Sequence, residues 1–476
     1  MTTSALLTDL YQLTMLAGYH ARGMHEEEAV FDLYFRTPPY RGSYAVFAGL
    51  QPALAYLEQL RFTAEELDYL RDLGLFREDF LAWLADFRFR GEVWAPPEGT
   101  PVFPHVPLLT LKGPLAQVQL AETALLNIVN FQTLVATKAA RLSHAAAPGR
   151  VIEFGLRRAQ GPDGALSVAR AAAVGGVGST SNVLAGMRFG LPIKGTQAHS
   201  WVMAFDDELT AFRAYAESFP DSCVLLVDTY DTLKSGVPNA IRVAGELRER
   251  GHELVAIRLD SGDLAWLSRR ARAMLDAAGF PDVRILASNE LDEELIEVIR
   301  GDGGCIDLYG VGTRLATCAG EGGGALGGVY KLVEVDGRPT IKSTSDPAKA
   351  TLPGRKKIYR LCDGEGRFLL DLVALHNEEI AVGDEVFDPE NPARSLRIPA
   401  EARWLELRER VMSAGRPTQV AESLERMAAR CEEQLALLPE GSLRLVNPHR
   451  YKVSISRGLL ELRRRLLTEI AARQPD

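Results

Sequence analysis

The feature that most constrains the fold is an alternation of short apolar runs and helical segments between residues 150 and 325. Each apolar run ends in polar or glycine residues. Buried strands of a parallel sheet, connected by helices, give this pattern. The predicted strands are 151–154, 170–174, 191–194, 224–228, 254–260, 283–288 and 306–309, and the clearest predicted helices are 237–250 and 264–278.

A parallel βα succession forms either an open doubly wound sheet or a closed barrel. Here polar groups follow many strands, which favours a barrel, because a (β/α) barrel collects its functional groups at the carboxyl ends of several strands. We predict the α/β class: an irregular (β/α) barrel with a second, mixed α+β domain formed by both chain ends. The predicted parts are 1–140, the barrel with the active site over 141–325, and 326–476, which packs with the first part.

Outside the barrel, the pattern predicts helices, strands and a hairpin across Asp336-Gly337. The basic cluster Arg355, Lys356 and Lys357 is interpreted as a solvated loop. Residues 320–324 are a glycine-rich stretch that we interpret as a solvated linker or a mobile lid, and 173–182 as a glycine-rich turn before a helix. The predicted helices are 8–22, 63–87, 122–147, 400–440 and 457–473, and the predicted strands are 29–35 and 92–110.

Charge and cysteine content exclude several classes of function. The 476-residue chain has a formal net charge of -9, which argues against a broad nucleic-acid-binding surface. Its five cysteines are scattered without a CxxC pair, which fits a reducing cytoplasm and neither a disulfide framework nor a zinc site. We expect no secretory signal, because the first ten residues lack a basic region, and no membrane span, because no apolar run approaches 18 residues.

His199 is the first candidate for chemistry, in the segment GTQAHS at 195–200. Imidazole titrates near neutral pH and can act as a nucleophile, a base or a ligand. Small neighbours leave room for a substrate beside the ring. A hydrogen-bonded structural histidine after a strand is the alternative reading of this segment alone.

Three other strand ends carry groups that could bind anions. Gly312 and Thr313 lie in GVGTR at 310–314, where backbone N–H groups and a hydroxyl could form an anion nest, or simply a strand-exit turn. Arg258 and Asp260 share one face of a strand and could bind an anion and a sugar diol, or form a rim salt bridge. Arg157 could anchor an anion through its guanidinium. The sequence contains no Walker A, HExxH or GxSxG motif.

Taken together and in order, the motifs resemble those of the nicotinate phosphoribosyltransferase family. The resemblance covers most of the chain, and the combination is specific although each motif alone is weak. The motifs are LTDLYQLTM at 7–15, ETALLNIVNFQT at 122–133, EFGLRRA at 153–159, GTQAHS at 195–200, RLDSGDL at 258–264, GVGT at 310–313 and GVYKL at 328–332.

The resemblance implies an activity, a fold and an assembly. The family transfers phosphoribosyl from 5-phosphoribosyl 1-pyrophosphate to nicotinate, coupled to ATP hydrolysis, in the salvage of NAD. It is a type II phosphoribosyltransferase family, with an irregular α/β barrel, a mixed domain from both chain ends and usually a homodimer with active sites at the subunit interface. Mg²⁺ is expected between pyrophosphate oxygens, whereas the ATP-binding residues and metal ligands remain unassigned.

The resemblance also implies roles for individual residues. His199 matches the family histidine that ATP phosphorylates. Tyr11, Thr196 and Arg258 match nicotinate contacts, with Arg258 facing the pyridine carboxylate and Tyr11 reaching into the neighbouring subunit's site. For the phosphoribosyl donor, the matching residues are Arg157, Asp260, Gly312 and Thr313, with Asp260 also assigned a catalytic role.

Three alternatives remain open at this point. Nicotinamide phosphoribosyltransferase shares the fold and chemistry, and GTQAHS favours the acid substrate. Quinolinate phosphoribosyltransferase has a shorter chain and needs no ATP. A non-catalytic nucleotide-binding protein on the same fold would bind without turnover.

Overall fold

The computed structural model describes residues 4–343 and 351–473, and the chain divides into two compact units. Unit 1 comprises Met1–Thr137 and Glu321–Asp476, and unit 2 comprises Lys138–Gly320. Within the described residues, the α-helices are α1 (Leu10–Ala21), α2 (Leu50–Gln59), α3 (Ala64–Asp72), α4 (Glu78–Ala85), α5 (Leu115–Leu120), α6 (Glu122–Ala146), α7 (Gly161–Val174), α8 (Val183–Phe189), α9 (His199–Met203), α10 (Glu208–Ser218), α11 (Val237–Glu249), α12 (Leu264–Ala277), α13 (Glu293–Gly301), α14 (Thr313–Ala316), α15 (Leu424–Leu435) and α16 (Arg457–Arg473).

The strands are distributed over both units. They are β1 (Glu28–Tyr34), β2 (Ala45–Val46), β3 (Glu92–Ala95), β4 (Pro101–Val102), β5 (Leu109–Pro114), β6 (Arg150–Glu153), β7 (Val224–Leu226), β8 (Ala256–Leu259), β9 (Arg284–Ser288), β10 (Leu308–Val311), β11 (Val329–Val335), β12 (Arg338–Pro339), β13 (Lys356–Cys362), β14 (Phe368–Leu375), β15 (Glu385–Phe387), β16 (Ser395–Arg397), β17 (Arg403–Glu406), β18 (Glu409–Ser413), β19 (Arg416–Pro417) and β20 (Val453–Ile455).

Unit 2 is built on a parallel sheet in the order β6-β10-β9-β8-β7. Two parallel bridges, Glu153↔Thr180 and Thr180↔Ile193, extend it beyond β6. The buried Glu153 carboxylate accepts hydrogen bonds from the Thr180 hydroxyl and the Gly155 N–H, which ties the first of these segments to β6. Among the described residues, the hydrogen-bonded row thus runs through seven parallel segments, from Ile193 to β7. The predicted α/β class is confirmed, and this parallel row is the strand arrangement expected of the predicted irregular (β/α) barrel.

Short loops with aspartate caps lead from the strands of unit 2 into the following helices. Asp263 accepts a hydrogen bond from Trp266 N (2.9 Å) at the start of α12, and Asp292 accepts one from Leu295 N (2.9 Å) at the start of α13. An aspartate at this position satisfies a free N–H group of the first helical turn and fixes where the helix begins. The caps therefore fix the few residues between each strand and helix, where candidate functional groups lie.

A buried ion triad supports unit 2 away from these loops. Glu293 in α13 contacts Lys138 Nζ (2.5 Å) and Arg141 Nε (2.9 Å), both in α6, and all three side chains are almost fully buried. Burial raises the pKa of Glu293, but the two cations outweigh this effect and lower it overall. The triad holds the two helices in one register.

Unit 1 contains an antiparallel sheet in the order β12-β11-β1-β5-β3-β18-β19 and a mixed sheet in the order β16-β15-β20-β14-β13-β17. Strand β1 pairs with β11, with Phe31 opposite Leu332. Strands from the N-terminal and the C-terminal part of the chain are therefore hydrogen-bonded into one sheet. This confirms the prediction of a mixed second domain formed by the N- and C-terminal parts, and β11 and β12 form the predicted hairpin.

Several of the helices and strands predicted from the sequence were wrong. Residues 170–174, predicted as a strand, are the end of α7, since a run of alanines stabilises a helix more than a strand. The predicted helix over 400–440 is in fact β17, β18, β19 and α15. The predicted helix over 63–87 is two helices separated by a turn at Gly74, which has a φ of 67°.

The basic cluster at 355–357 is not a solvated loop. Lys356 begins β13, is almost fully buried and pairs with Asp32 (2.8 Å). Arg408 donates a hydrogen bond to the Lys356 carbonyl (2.9 Å). A single buried carboxylate with two nearby cations is visible only after the strands are paired, so the local sequence could not indicate it. Within residues 4–343 and 351–473, no helix combines the length and the apolarity needed to cross a bilayer.

Candidate active site

The carboxyl ends of β8 and β9 bring together the central pair of the candidate site. Arg258 and Asp260 lie two residues apart at the end of β8, and Arg258 Nη2 donates to Asp260 Oδ1 (2.8 Å). Ser288, the last residue of β9, accepts from Arg258 Nε (2.9 Å) and donates its hydroxyl proton to Asp260 Oδ1. The serine therefore fixes both members of the pair.

Thr196 and His199 join this pair from a different part of the chain. Arg258 Nη1 donates to the Thr196 hydroxyl oxygen (2.9 Å), and that hydroxyl donates to the Gln197 carbonyl (3.0 Å). The His199 ring, partly exposed at the start of α9, has Nε2 3.7 Å from Asp260 Oδ2 and Nδ1 3.2 Å from Thr229 Oγ1. Three of the residues singled out in the sequence, His199, Arg258 and Asp260, thus lie together in the structure.

Asp228, which follows β7, organises the loop after β8. Its Oδ2 accepts hydrogen bonds from Asp260 N (2.8 Å) and Ser261 Oγ (2.6 Å). Its other oxygen, Oδ1, is buried and has no hydrogen-bond partner among the described residues. A buried carboxylate oxygen without a partner is costly and points to a ligand or an ordered water at this place.

The electrostatics of the pair favour an ionised carboxylate at Asp260. Burial raises the pKa of Asp260, but the hydrogen bond from Ser288 and the charge of Arg258 outweigh it, so that the pKa lies below its usual value. The nearby His199 acts in the same direction. Asp260 therefore carries its negative charge throughout the neutral pH range.

Close packing between β6 and β10 explains the glycines of GVGT. A Cβ at Gly310 would lie 2.5 Å from the ring of Phe154, and a Cβ at Gly312 would lie 3.0 Å from the Phe154 carbonyl oxygen. The same ring lies under the guanidinium of Arg258, with 5.6 Å from Cζ to the ring centroid. The glycines thus let Phe154 lie beneath Arg258. Thr313 follows and donates its hydroxyl to Glu290 Oε1 (2.8 Å).

Two predicted site residues are not part of this cluster. Arg157 lies in the 3-10 turn Leu156–Arg158 that follows β6, and its side chain is exposed. Tyr11 belongs to unit 1, where it lies in α1 with 48% of its surface exposed. Partial burial and the nearby Glu122 carboxylate raise the pKa of Tyr11.

Four residues of the cluster had no role in the sequence-based prediction: Phe154, Asp228, Thr229 and Ser288. Their positions at strand ends were visible as polar or aromatic residues closing apolar runs. Their partners, however, lie on other strands, so their contacts depend on the pairing of the sheet. The signal in the sequence was that these residues lie at the carboxyl ends of predicted strands, because the carboxyl ends of parallel strands meet at one edge of the sheet.

The carboxylates of the cluster fit a metal ion only in part. Among the residues that the structure describes, no group of three or more His, Cys, Asp or Glu side chains is placed to hold a metal. The unpaired Oδ1 of Asp228 and the adjacent Asp260 offer carboxylate oxygens. Mg²⁺ is commonly bound by one or two carboxylates together with phosphate oxygens and water. The two carboxylates therefore fit Mg²⁺ only if phosphate oxygens or water supply the rest of its ligands.

Comparisons with known proteins agree with this architecture and its motifs. Three family models match: the nicotinate phosphoribosyltransferase N-terminal domain over residues 6–130, the nicotinate phosphoribosyltransferase family over 150–365, and its C-terminal domain over 355–463. A nicotinate phosphoribosyltransferase of Bacillus subtilis is 44% identical, over 98% of this chain and 96% of that protein. One of Dictyostelium discoideum is 39% identical, over 96% of this chain and 87% of that protein.

The chain belongs to the nicotinate phosphoribosyltransferase family. Among solved structures, human nicotinic acid phosphoribosyltransferase superposes with a TM-score of 0.85 at 33% identity, covering 96% of this chain and 99% of that chain. The resemblance inferred from the motifs, and with it the prediction that the chain is an enzyme of this family, are confirmed.

Proposed function

We propose that this member of the family transfers the phosphoribosyl group of 5-phosphoribosyl 1-pyrophosphate to nicotinate. The bond between C1 and the pyrophosphate oxygen breaks, pyrophosphate leaves with the electron pair, and the pyridine nitrogen forms the new bond to C1. The products are nicotinate mononucleotide and pyrophosphate. The single observation that carries this proposal is that three neighbouring residues hold the Arg258 guanidinium at the edge of the sheet and leave it able to bind a carboxylate.

The Arg258 guanidinium has five N–H groups. Three are used, one each by Ser288, Thr196 and Asp260. Among the described residues, one N–H on each terminal nitrogen then has no partner, and two such N–H groups that point the same way can hold both oxygens of a carboxylate. Because the guanidinium is held by three partners and backed by Phe154, it is already oriented for the planar carboxylate of nicotinate.

Asp260 has a complementary role toward the donor. Positive charge develops at C1 and its ring oxygen as pyrophosphate departs, and a fixed negative charge nearby stabilises that state. The Ser288 hydrogen bond and Arg258 keep Asp260 ionised and fixed in position. Mg²⁺ bound with the donor would neutralise charge on the leaving pyrophosphate, and Asp228 and Asp260 are the residues that would hold it.

ATP is proposed as a co-substrate that phosphorylates His199. A ring nitrogen would form the bond to the γ-phosphorus, the bond to the bridging oxygen would break, and ADP would leave. The ring is partly exposed, and Thr229 and Asp260 contact its two nitrogens, which supports an accessible and oriented nucleophile.

The proposed roles of Arg157, Gly312 and Thr313 concern the phosphates of the donor, and Tyr11 is proposed to contact nicotinate in a neighbouring copy of a homodimer. The exposure of Tyr11 and Arg157 supports roles toward a second copy or a ligand. A reducing, cytoplasmic location is part of the proposal and is supported by five free cysteines.

Turnover with purified protein tests the proposal. The protein is incubated with Mg²⁺, 5-phosphoribosyl 1-pyrophosphate and either nicotinate or nicotinamide, with and without ATP, and the mononucleotides are quantified. We expect nicotinate mononucleotide, with ADP formed when ATP is present. A higher kcat/KM for nicotinamide, or binding of both substrates without product, would contradict the proposal.

A further inference from the structure

We propose that Glu290 sets the affinity of the phosphate site at Thr313, because its carboxylate must give up the Thr313 hydroxyl before a bound phosphate can accept it. The inference rests on the proposed function, in which Thr313 contacts the 5-phosphate of the donor. It concerns a different residue, in the loop between β9 and α13, to which the sequence analysis gave no role.

The Thr313 hydroxyl has a single proton to donate. In the structure, that proton goes to Glu290 Oε1 at 2.8 Å. The dianion of a phosphate monoester, such as the 5-phosphate of the donor, offers only acceptors, so it competes directly with Glu290 for the same proton. If the hydroxyl is given to a phosphate oxygen at about 2.7 Å, the Glu290 carboxylate at its present position would lie within about 5.5 Å of that oxygen. Two like charges at this separation repel each other.

The backbone around Glu290 has an unusual and constrained conformation. Asn289 and Glu290 have φ values of 99° and 47°, in the left-handed region that non-glycine residues rarely occupy. Two successive residues in this region persist only where the surroundings impose the conformation, as is common at functional sites. Ser288 on one side is anchored to Asp260, and Asp292 on the other caps α13, so the turn between them is fixed at both ends.

A second partner is available when Glu290 is displaced. Arg314 Nε is buried, has no hydrogen-bond partner among the described residues, and lies 3.9 Å from Glu290 Oε2. Asp292 Oδ2 lies at a similar distance, 4.0 Å, from the same nitrogen. A small rotation of the Glu290 carboxylate from Thr313 toward Arg314 would give this N–H an acceptor within hydrogen-bond distance. The Glu290 carboxylate therefore has two resting places, one that blocks Thr313 and one that frees it.

The consequence is a weaker phosphate site. Any ligand whose phosphate takes the Thr313 hydroxyl must supply the free energy that displaces Glu290, and its apparent affinity falls by the fraction of molecules with Thr313 free. This cost is the same for the donor, for the mononucleotide product and for a simple phosphate monoester. Glu290 thus sets how tightly the site binds the 5-phosphate of donor and product alike.

Steady-state kinetics of Glu290→Gln, which removes the charge and keeps the shape, test the proposal. Ribose 5-phosphate, a phosphate monoester, is the probe, as a competitive inhibitor against 5-phosphoribosyl 1-pyrophosphate. We expect its inhibition constant to fall roughly three- to tenfold and the KM of the donor to fall in the same direction. Glu290→Ala, which removes the acceptor, should act in the same direction. Glu294→Gln, an exposed glutamate in the same helix–loop region, is the matched control and should behave as wild type.

A double-mutant cycle with Thr313→Val shows whether the effect passes through the hydroxyl. The gain from Glu290→Gln should disappear when Thr313 is valine, because there is then no proton to compete for. An inhibition constant of ribose 5-phosphate that is unchanged or raised in Glu290→Gln, or a gain that persists in the valine background, would overturn the proposal. If the wild-type protein makes no nicotinate mononucleotide, the proposed function fails instead, and the two failures are thereby distinguished.

Discussion

Replacing Arg258 by lysine separates recognition of the nicotinate carboxylate from simple positive charge. Lysine keeps the charge but has one nitrogen, which cannot hold Ser288, Thr196 and Asp260 and still offer two parallel N–H groups to a carboxylate. At least one hydrogen bond to a charged group is lost, and such a bond contributes about 1.5–3 kcal/mol. Because every 1.4 kcal/mol is a factor of ten, kcat/KM for nicotinate should fall by roughly 10- to 150-fold.

The assay compares nicotinate with nicotinamide at saturating donor in the wild type and in Arg258→Lys. The neutral carboxamide gains little from a guanidinium fork, so the kcat/KM for nicotinamide, which we expect to be low in the wild type, should fall only about threefold. The preference for the acid should therefore shrink by roughly 3- to 50-fold. Arg284→Lys, at the exposed opposite end of β9, is the control and should match wild type. An equal loss for both bases would refute the reasoning, since it would mean that Arg258 serves only to position Asp260.

Three further predictions concern the chemistry, the pH dependence and the stability. His199→Ala should abolish ATP hydrolysis coupled to turnover and leave ATP-independent transfer measurable; coupled hydrolysis at the wild-type rate in this variant would exclude His199 as the phosphorylated group. The Ser288 hydrogen bond lowers the pKa of Asp260, so Ser288→Ala should raise that pKa and move the acid limb of the kcat/KM profile to higher pH, and an unmoved limb would show that Asp260 does not titrate there. Lys138→Met leaves Glu293 buried with one cation fewer and should lower the free energy of unfolding by about 3–5 kcal/mol in denaturant titrations, whereas a loss below about 1 kcal/mol would contradict a tightly coupled triad.

The predictable part of the fold was the part with strong local periodicity. The strands at 151–154, 254–260 and 283–288 and the helices at 237–250 and 264–278 were found within a few residues of their predicted bounds. The prediction of a strand at residues 170–174 was wrong because an apolar run of strand length can equally well be the buried end of a helix. Here the alanines favour the helix. The prediction of a helix over residues 403–417 was wrong because short strands with many charged residues have a sequence pattern like that of an exposed helix.

The candidate site also has a part that the sequence indicated and a part that it did not. The alternation of a strand places Arg258 and Asp260 on one face, and a salt bridge between them was one of the two interpretations that the sequence allowed. Ser288 and Phe154 contact Arg258 from two other strands, and only the order of the sheet brings them there. The local sequence likewise could not show that Glu290 accepts the Thr313 proton, since that contact joins the loops after two neighbouring strands.

A crystal structure with nicotinate mononucleotide bound tests most directly the claim that these strand ends form one active site. The account predicts that the pyridine carboxylate lies on the two free N–H groups of Arg258, that the ribose lies beside Asp260, and that the 5-phosphate accepts the Thr313 hydroxyl with Glu290 turned toward Arg314. A mononucleotide bound away from Arg258 and Asp260 would contradict it.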